Sequence, residues 1–195
     1  MTMESVRGAE EYKYTATYPA GQPARNTIVA FTRNVIGSMD FTPVTFTDAL
    51  YPHVTTNAHE LALSVVFESG IQHFADRVSG YQTLPTAPRT FLQQVPAAWD
   101  DTRFVDGVPG QWVALARRKG TTWYVAGISG ETQTRTAAIN LAFLGTGQFN
   151  MTVVSDGTSD RTFGGQTAVV AATDTLTVAV RPRGGFVARL VPAPP

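Results

Sequence analysis

Trp112-Val113-Ala114-Leu115-Ala116-Arg117, a short Lys119-Gly120-Thr121 break, and Trp123-Tyr124-Val125-Ala126-Gly127-Ile128 read as two strands joined by a tight turn. Both runs are rich in β-branched and aromatic residues, and a glycine-containing break of this length is a hairpin signal. Downstream the same text repeats. Strands are expected at 136–143, 149–155, 167–172, 175–181 and 186–191, punctuated by Gly145 and Gly147, Asp156-Gly157, Gly164-Gly165, Asp174 and Gly184-Gly185. About seven short strands at this spacing predict an antiparallel β-sandwich over 99–195. Trp112 and Trp123 alternate with apolar strand residues and are read as sandwich core. Arg117-Arg118-Lys119 is read as a solvated hairpin rim, and the tail from residue 192 as loose.

Upstream of residue 100 the pattern differs. Thr27-Ile28-Val29-Ala30-Phe31-Thr32, entered from the Gly21-Gln22-Pro23 turn, predicts a strand. A helix is predicted from Ala58 to Phe74, with Asn57 as N-cap and Glu60 completing a capping-box-like pair. Its apolar residues cover most of the circumference, so burial is expected on nearly all sides. A connector carrying Pro85, Pro88 and Pro96 leads to Trp99, which is read as an interface plug. The fold class is therefore α+β in two parts, a mixed piece over 1–98 and a sandwich over 99–195. A lone strand and helix cannot close a core, so the first piece is expected to be incomplete. On that reasoning residues 100–191 alone should be more soluble than all 195.

Composition narrows the partners. Fifteen basic residues balance fifteen acidic ones in 195, and charged residues make up only 15%. No basic stripe exists to attract nucleic acid. Cysteine is absent, which excludes disulfides and thiolate chemistry. No apolar run approaches the roughly 20 residues of a membrane-spanning helix. The glycine pairs are turn residues with no phosphate-binding loop around them, and no nucleotide cofactor is expected.

The acidic cluster Glu4-Ser5-Val6-Arg7-Gly8-Ala9-Glu10-Glu11 stands at the very start. Two glutamates six apart are by themselves an ordinary solvated loop. Together with other segments, however, the cluster resembles glycoside hydrolase family 97, the family of α-glucosidases and α-galactosidases. The segments are Glu4 to Glu10, Phe31-Thr32-Arg33, Gly37-Ser38-Met39-Asp40-Phe41-Thr42-Pro43, His59-Glu60-Leu61-Ala62-Leu63 with Glu68-Ser69, and Trp99-Asp100-Asp101-Thr102. The resemblance implies that 1–98 is the last part of a (β/α)8 barrel and that the rest is the family's C-terminal β-domain. It further implies Glu10 as general acid, Glu4 and Glu10 as ligands of a Ca2+ ion, and an oligosaccharide or α-glycoside as substrate. A periplasmic or secreted parent protein is expected from the same likeness. The partner carboxylate that glycosidic hydrolysis requires would lie upstream, so the isolated chain is expected to be inactive. A non-catalytic carbohydrate-binding sandwich is the alternative.

Several positions depart from the family pattern. Ser38 stands where proline is usual, Val44 where glycine is usual, and Ala30 replaces another proline. Arg25-Asn26 occupy a place where histidine is frequent, and the resemblance implies that the change removes substrate-facing imidazoles and bears on sugar specificity. Arg33 and Asp40 are read as cap or ion-pair residues, and His59 and His73 as structural.

Overall fold

The computed structural model describes residues 6–9, 11–48 and 53–194. Its strands are β1 (Asp101–Val108), β2 (Trp112–Lys119), β3 (Thr122–Ser129), β4 (Arg135–Asn140), β5 (Gln148–Asp156), β6 (Phe163–Ala171), β7 (Thr175–Val180) and β8 (Gly185–Pro192). Six of them form one sheet in the order β1-β2-β3-β8-β5-β6, and β4 pairs with β7 in a second. All pairings are antiparallel. The expected hairpin is present, with Lys119 opposite Thr122 and Gly120 at φ +58°, a left-handed conformation that glycine adopts without strain. The tail is tied further than expected, since Pro192 pairs with Phe149 and Ala193 N–H donates to Gln148.

The centre of the six-stranded sheet, β2, β3 and β8, is buried on both faces, which is why β2 and β3 read as continuous apolar runs rather than alternating ones. Trp112, Ala114, Ala116, Val125 and Phe186 pack toward β4 and β7. Trp112 stacks on Phe186, and a Cβ at Gly127 would lie 2.5 Å from the Trp112 ring. Val113, Leu115, Tyr124, Ala126, Ile128, Val154 and Val187 point the other way, into a core shared with the N-terminal helices. Residues 99–195 are thus not self-sufficient. The part of one sheet face formed by Val113, Leu115, Ala126, Ile128, Val154 and Val187 is apolar and covered by residues before 99, which argues for the opposite solubility order to the one expected.

The N-terminal part is helical: α1 (Glu11–Tyr14), α2 (Tyr18–Val29), α3 (Arg33–Ile36), α4 (Asn57–Val66), α5 (Val78–Gln82) and α6 (Thr86–Gln94). The strand predicted at Thr27–Thr32 does not form. Thr27-Ile28-Val29 close α2, whose buried residues Tyr18, Gln22, Asn26 and Val29 recur at helical spacing. Burial along that face overrides local β preference. Among the described residues before Asp101 the only bridge residue is Met39.

The central helix is shorter than predicted. α4 stops at Val66, Phe67 turns to an extended ψ of 135°, and Ile71 is exposed. Its N-cap is Thr56, not Asn57: the Thr56 hydroxyl accepts from His59 N–H at 3.1 Å. Glu60 therefore sits one position past the capping-box place. All ten residues of α4 are buried. The proline-bearing connector contains α6, in which Pro88 occupies the first turn, where the missing N–H costs nothing. Strand β1 escaped the reading because its residues are mostly exposed and carry no alternation; pairing with β2 alone recruits it.

Candidate functional site

Three segments converge at one end of the N-terminal part: residues 7–9, 42–48 and 53–56. Ala9 is buried, and its N–H donates to Thr42 carbonyl at 3.2 Å. The Tyr18 hydroxyl donates to the Arg7 carbonyl, and Arg25 lies 4.5 Å over the Tyr18 ring. Glu4 and Glu10 lie outside the described residues; of the residues next to Glu10, Ala9 is the one bonded to Thr42. Glu11 is half-buried and accepts from Thr15 Oγ1 at 2.9 Å.

The 42–48 segment carries an unusual backbone. Val44 has φ +69° and is fully buried, a conformation costly for a β-branched residue. This is the position where the family pattern has glycine, and the left-handed φ gives the physical reason. The strain is held from both sides. Tyr81 hydroxyl donates to the Val44 carbonyl at 2.9 Å, and Thr45 N–H reaches Glu60 at 3.4 Å. The next turn is clamped by Asp76, which accepts from Phe46 N–H (2.8 Å), Thr47 N–H (2.9 Å) and Thr47 Oγ1 (2.6 Å). Burial tends to raise the Asp76 carboxyl, but these donors outweigh it and hold it below its ordinary value.

Beneath this end is a buried polar layer. Glu60 is fully enclosed and bonded to Thr55 Oγ1 at 2.5 Å; burial pushes its carboxyl above the ordinary range. His59 is also enclosed, and Asn26 Nδ2 donates to its Nε2 at 3.0 Å. Burial lowers the His59 pKa to about 3, against the pull of the Gly184 and Arg183 carbonyls. His59 is structural, as expected. Besides its bond to His59, Asn26 borders a cleft together with Arg25, the two positions at which the family pattern often has histidine. A cleft of about 310 Å3 is lined by Arg7, Arg25, Val29, Arg33 and Phe41 among others. Arg33 donates to the Gly37 and Ser38 carbonyls, as a cap-type residue would, whereas Asp40 faces His73 at 3.7 Å on the surface.

The sandwich reaches into this site. Arg161, in the β5–β6 turn, holds Asp48 with Nε at 2.9 Å and Nη2 at 3.2 Å, and donates to the Thr55 and His53 carbonyls at 2.8 and 2.7 Å. Asp156 accepts from Thr56 Oγ1, Arg181 N–H and Gly185 N–H, and burial raises its carboxyl. At the far end of α4, Arg117 donates to Val66 carbonyl (3.1 Å) and Glu68 (3.3 Å). Arg117 is only 3% exposed, which corrects its reading as a solvated rim residue; burial also lowers its pKa. Trp99 packs on Tyr124 at 5.3 Å, as an interface plug should. Sequence reasoning passed over Asp76, Asp156 and Arg161, because a charged residue in a turn carries no sign of its distant partner. Among the described residues no group of three acidic or histidine side chains forms a metal site, and no helix is long and apolar enough to cross a membrane.

Comparison with known proteins places this geometry. Residues 98–191 match the family described as "Glycosyl-hydrolase 97 C-terminal, oligomerisation". A probable retaining alpha-galactosidase of Streptomyces bingchenggensis is 42% identical over 189 residues, 96% of this chain and 28% of the relative. A retaining alpha-galactosidase of Bacteroides thetaiotaomicron is 29% identical over 97% of this chain and 30% of its own length. A glycoside hydrolase family 97 enzyme of Pseudoalteromonas sp. strain K8, solved with acarbose, superposes with a TM-score of 0.89 at 32% identity, covering 100% of this chain and 32% of that one. A variant of a family 97 enzyme from the same strain was solved with panose. This chain thus spans less than a third of the relatives it matches. With the sandwich matched by residue range and nearly the whole chain aligned to relatives of one kind, the chain belongs to glycoside hydrolase family 97, and residues 98–191 are its C-terminal domain.

Proposed function

We propose that the chain is the C-terminal part of a glycoside hydrolase acting on α-galactosides or α-glucosides, with residues up to 98 completing a (β/α)8 barrel. The alignment over 96% of the chain to a probable retaining alpha-galactosidase carries this reading and favours α-galactosides with retention of configuration. In that scheme Glu10 is the general acid that protonates the leaving oxygen, and a second carboxylate outside this chain acts as nucleophile. The Val44 backbone and the Asp76 clamp support it, because they fix the segment to which Ala9, next to Glu10 in sequence, is bonded. Glu4 and Glu10 are proposed to bind Ca2+. Carboxylates suit a hard cation, but two fall short of the 6–8 oxygens calcium takes, so further ligands must come from elsewhere. When bound, the ion would organise the acidic loop.

The test has two arms. The 195-residue chain should not turn over nitrophenyl α-galactoside or α-glucoside with Ca2+ present. The longer protein containing it should, with the α-anomer as first product by NMR, and Glu10→Gln should abolish that turnover. Turnover by the chain alone, or full activity of the Glu10→Gln protein, overturns the assignment. The rival is a non-catalytic carbohydrate-binding sandwich; measurable sugar affinity without turnover in the longer protein would favour it.

A further inference from the structure

Away from the acidic loop, the helix-facing side of the large sheet changes character. Under α4 it is apolar, with Ala126, Val187 and Val154 in the core. Two residues further along the same strands, Arg189 and Thr152 stand side by side in the β8–β5 register. Opposite them, α6 presents Thr86, Thr90 and Gln94, spaced i, i+4, i+8 along one helix face. The walls enclose a cleft of about 390 Å3, with Phe91 and Val154 as its apolar lining. That volume is in the range of small-molecule sites, about 300–1,000 Å3.

Surfaces built only for packing do not face each other with three hydroxyls, a carboxamide and a guanidinium. Arg189 enters no ion pair among the described residues, and its Nε is sealed from solvent with no hydrogen-bond partner. That sealed atom is out of a ligand's reach; what the cleft offers is the rest of the Arg189 side chain, which lines it. No carboxylate lines the cleft, so a partner for its charge must come from outside it. A guanidinium offers a planar fork of donors that matches a carboxylate, and the surrounding hydroxyls and amide match vicinal sugar hydroxyls.

We propose that this cleft binds an anionic sugar unit, a carboxylate-bearing monosaccharide, with Arg189 on the carboxylate and Thr86, Thr90, Thr152 and Gln94 on the ring hydroxyls. The site is separate from the acidic loop and stands whether or not Glu10 is a general acid. It gives the junction between α6 and the C-terminal domain a carbohydrate-recognition role of its own.

Amide chemical shifts of the 195-residue chain, titrated separately with galacturonate, galactose, acetate and inorganic phosphate, test it. Galacturonate should shift Thr86, Thr90, Thr152 and Arg189 with a Kd on the order of 1 mM. Galactose and acetate, each holding half of the recognition chemistry, should bind roughly tenfold more weakly. Arg189→Ala should weaken galacturonate by roughly tenfold or more, and Arg189→Lys, which keeps charge but not the fork, by an intermediate amount. Arg189→Ala is expected to fold, since it removes no hydrogen bond; should it not, Thr152→Val under the same titration decides. Absence of these shifts, binding unchanged in the variants, or acetate or phosphate binding as tightly as galacturonate would each overturn the proposal. The last outcome would mark a simple anion site or a contact for an acidic side chain of another segment.

Discussion

Replacing Val44 separates two effects that usually act together. The side chain is fully buried in the core shared by helices and sheet, while its backbone sits at φ +69°. Val44→Ala removes two methyl groups, about 1.6 kcal/mol of transfer free energy, and a partly collapsed cavity brings the cost to about 2–3 kcal/mol. Alanine keeps its Cβ and so keeps most of the backbone strain. Val44→Gly loses one further carbon, about 0.8 kcal/mol, and adds about 0.5–1 kcal/mol of unfolded-state entropy. It also removes a left-handed penalty of about 1–2 kcal/mol. The extra losses and the relief nearly cancel. Glycine should therefore be about as stable as alanine, within about 0.5 kcal/mol, where an ordinary buried position would leave it clearly worse. Urea unfolding followed by tryptophan fluorescence reports the difference, since Trp99 and Trp112 sit on opposite faces of the large sheet. A glycine variant less stable than the alanine variant by more than about 1.5 kcal/mol would refute the strain argument.

Glu60 has a folded pKa raised above its ordinary 4.5, so its contribution to stability is complete below that pH and is lost as pH rises through the folded value. Glu60→Gln, neutral throughout, should flatten this slope and raise the urea midpoint at pH 8 relative to wild type more than at pH 4; an equal shift at both would count against it. Arg161→Ala should cost about 1–2 kcal/mol, most of it from the Thr55 and His53 carbonyls, because the Asp48 pair is about 40% exposed and screened. Hydrogen exchange should then quicken at the amides of residues 53–57, and unchanged protection there would argue that the clamp is redundant. Residues 99–195 expressed alone should bind a hydrophobic dye and associate on size exclusion, because the sheet face around Val113, Leu115, Ala126 and Ile128 loses its cover. A monodisperse, dye-silent sandwich would show that face to be tolerable.

The β half was legible because its signals are local. Gly120 between two β-rich runs needs no distant information to mark a hairpin, and Trp112 and Trp123 read as core from the apolar runs that carry them. Thr27-Ile28-Val29 misled for the converse reason. Its β preference is a matter of tenths of a kcal/mol per residue, and burial of Tyr18, Gln22 and Asn26 along one helix face exceeds that. The cap at Thr56 was one residue from the expected one, because the choice between adjacent polar residues is made by Asp156 a hundred positions away.

By itself, then, the sequence determined the α+β division, the antiparallel sandwich, its tryptophan core and the likeness to family 97, all of which rest on periodicity, turn chemistry and ordered short motifs. Only tertiary structure decided that Arg117 is buried, that Arg161 and Asp156 bolt the sandwich to the α4 entrance, and that Val44 bears the left-handed backbone. Those facts depend on pairings across 15 to 113 positions. A charged or β-branched residue looks the same in sequence whether its partner is water or a distant carbonyl, and the folded chain alone supplies that partner.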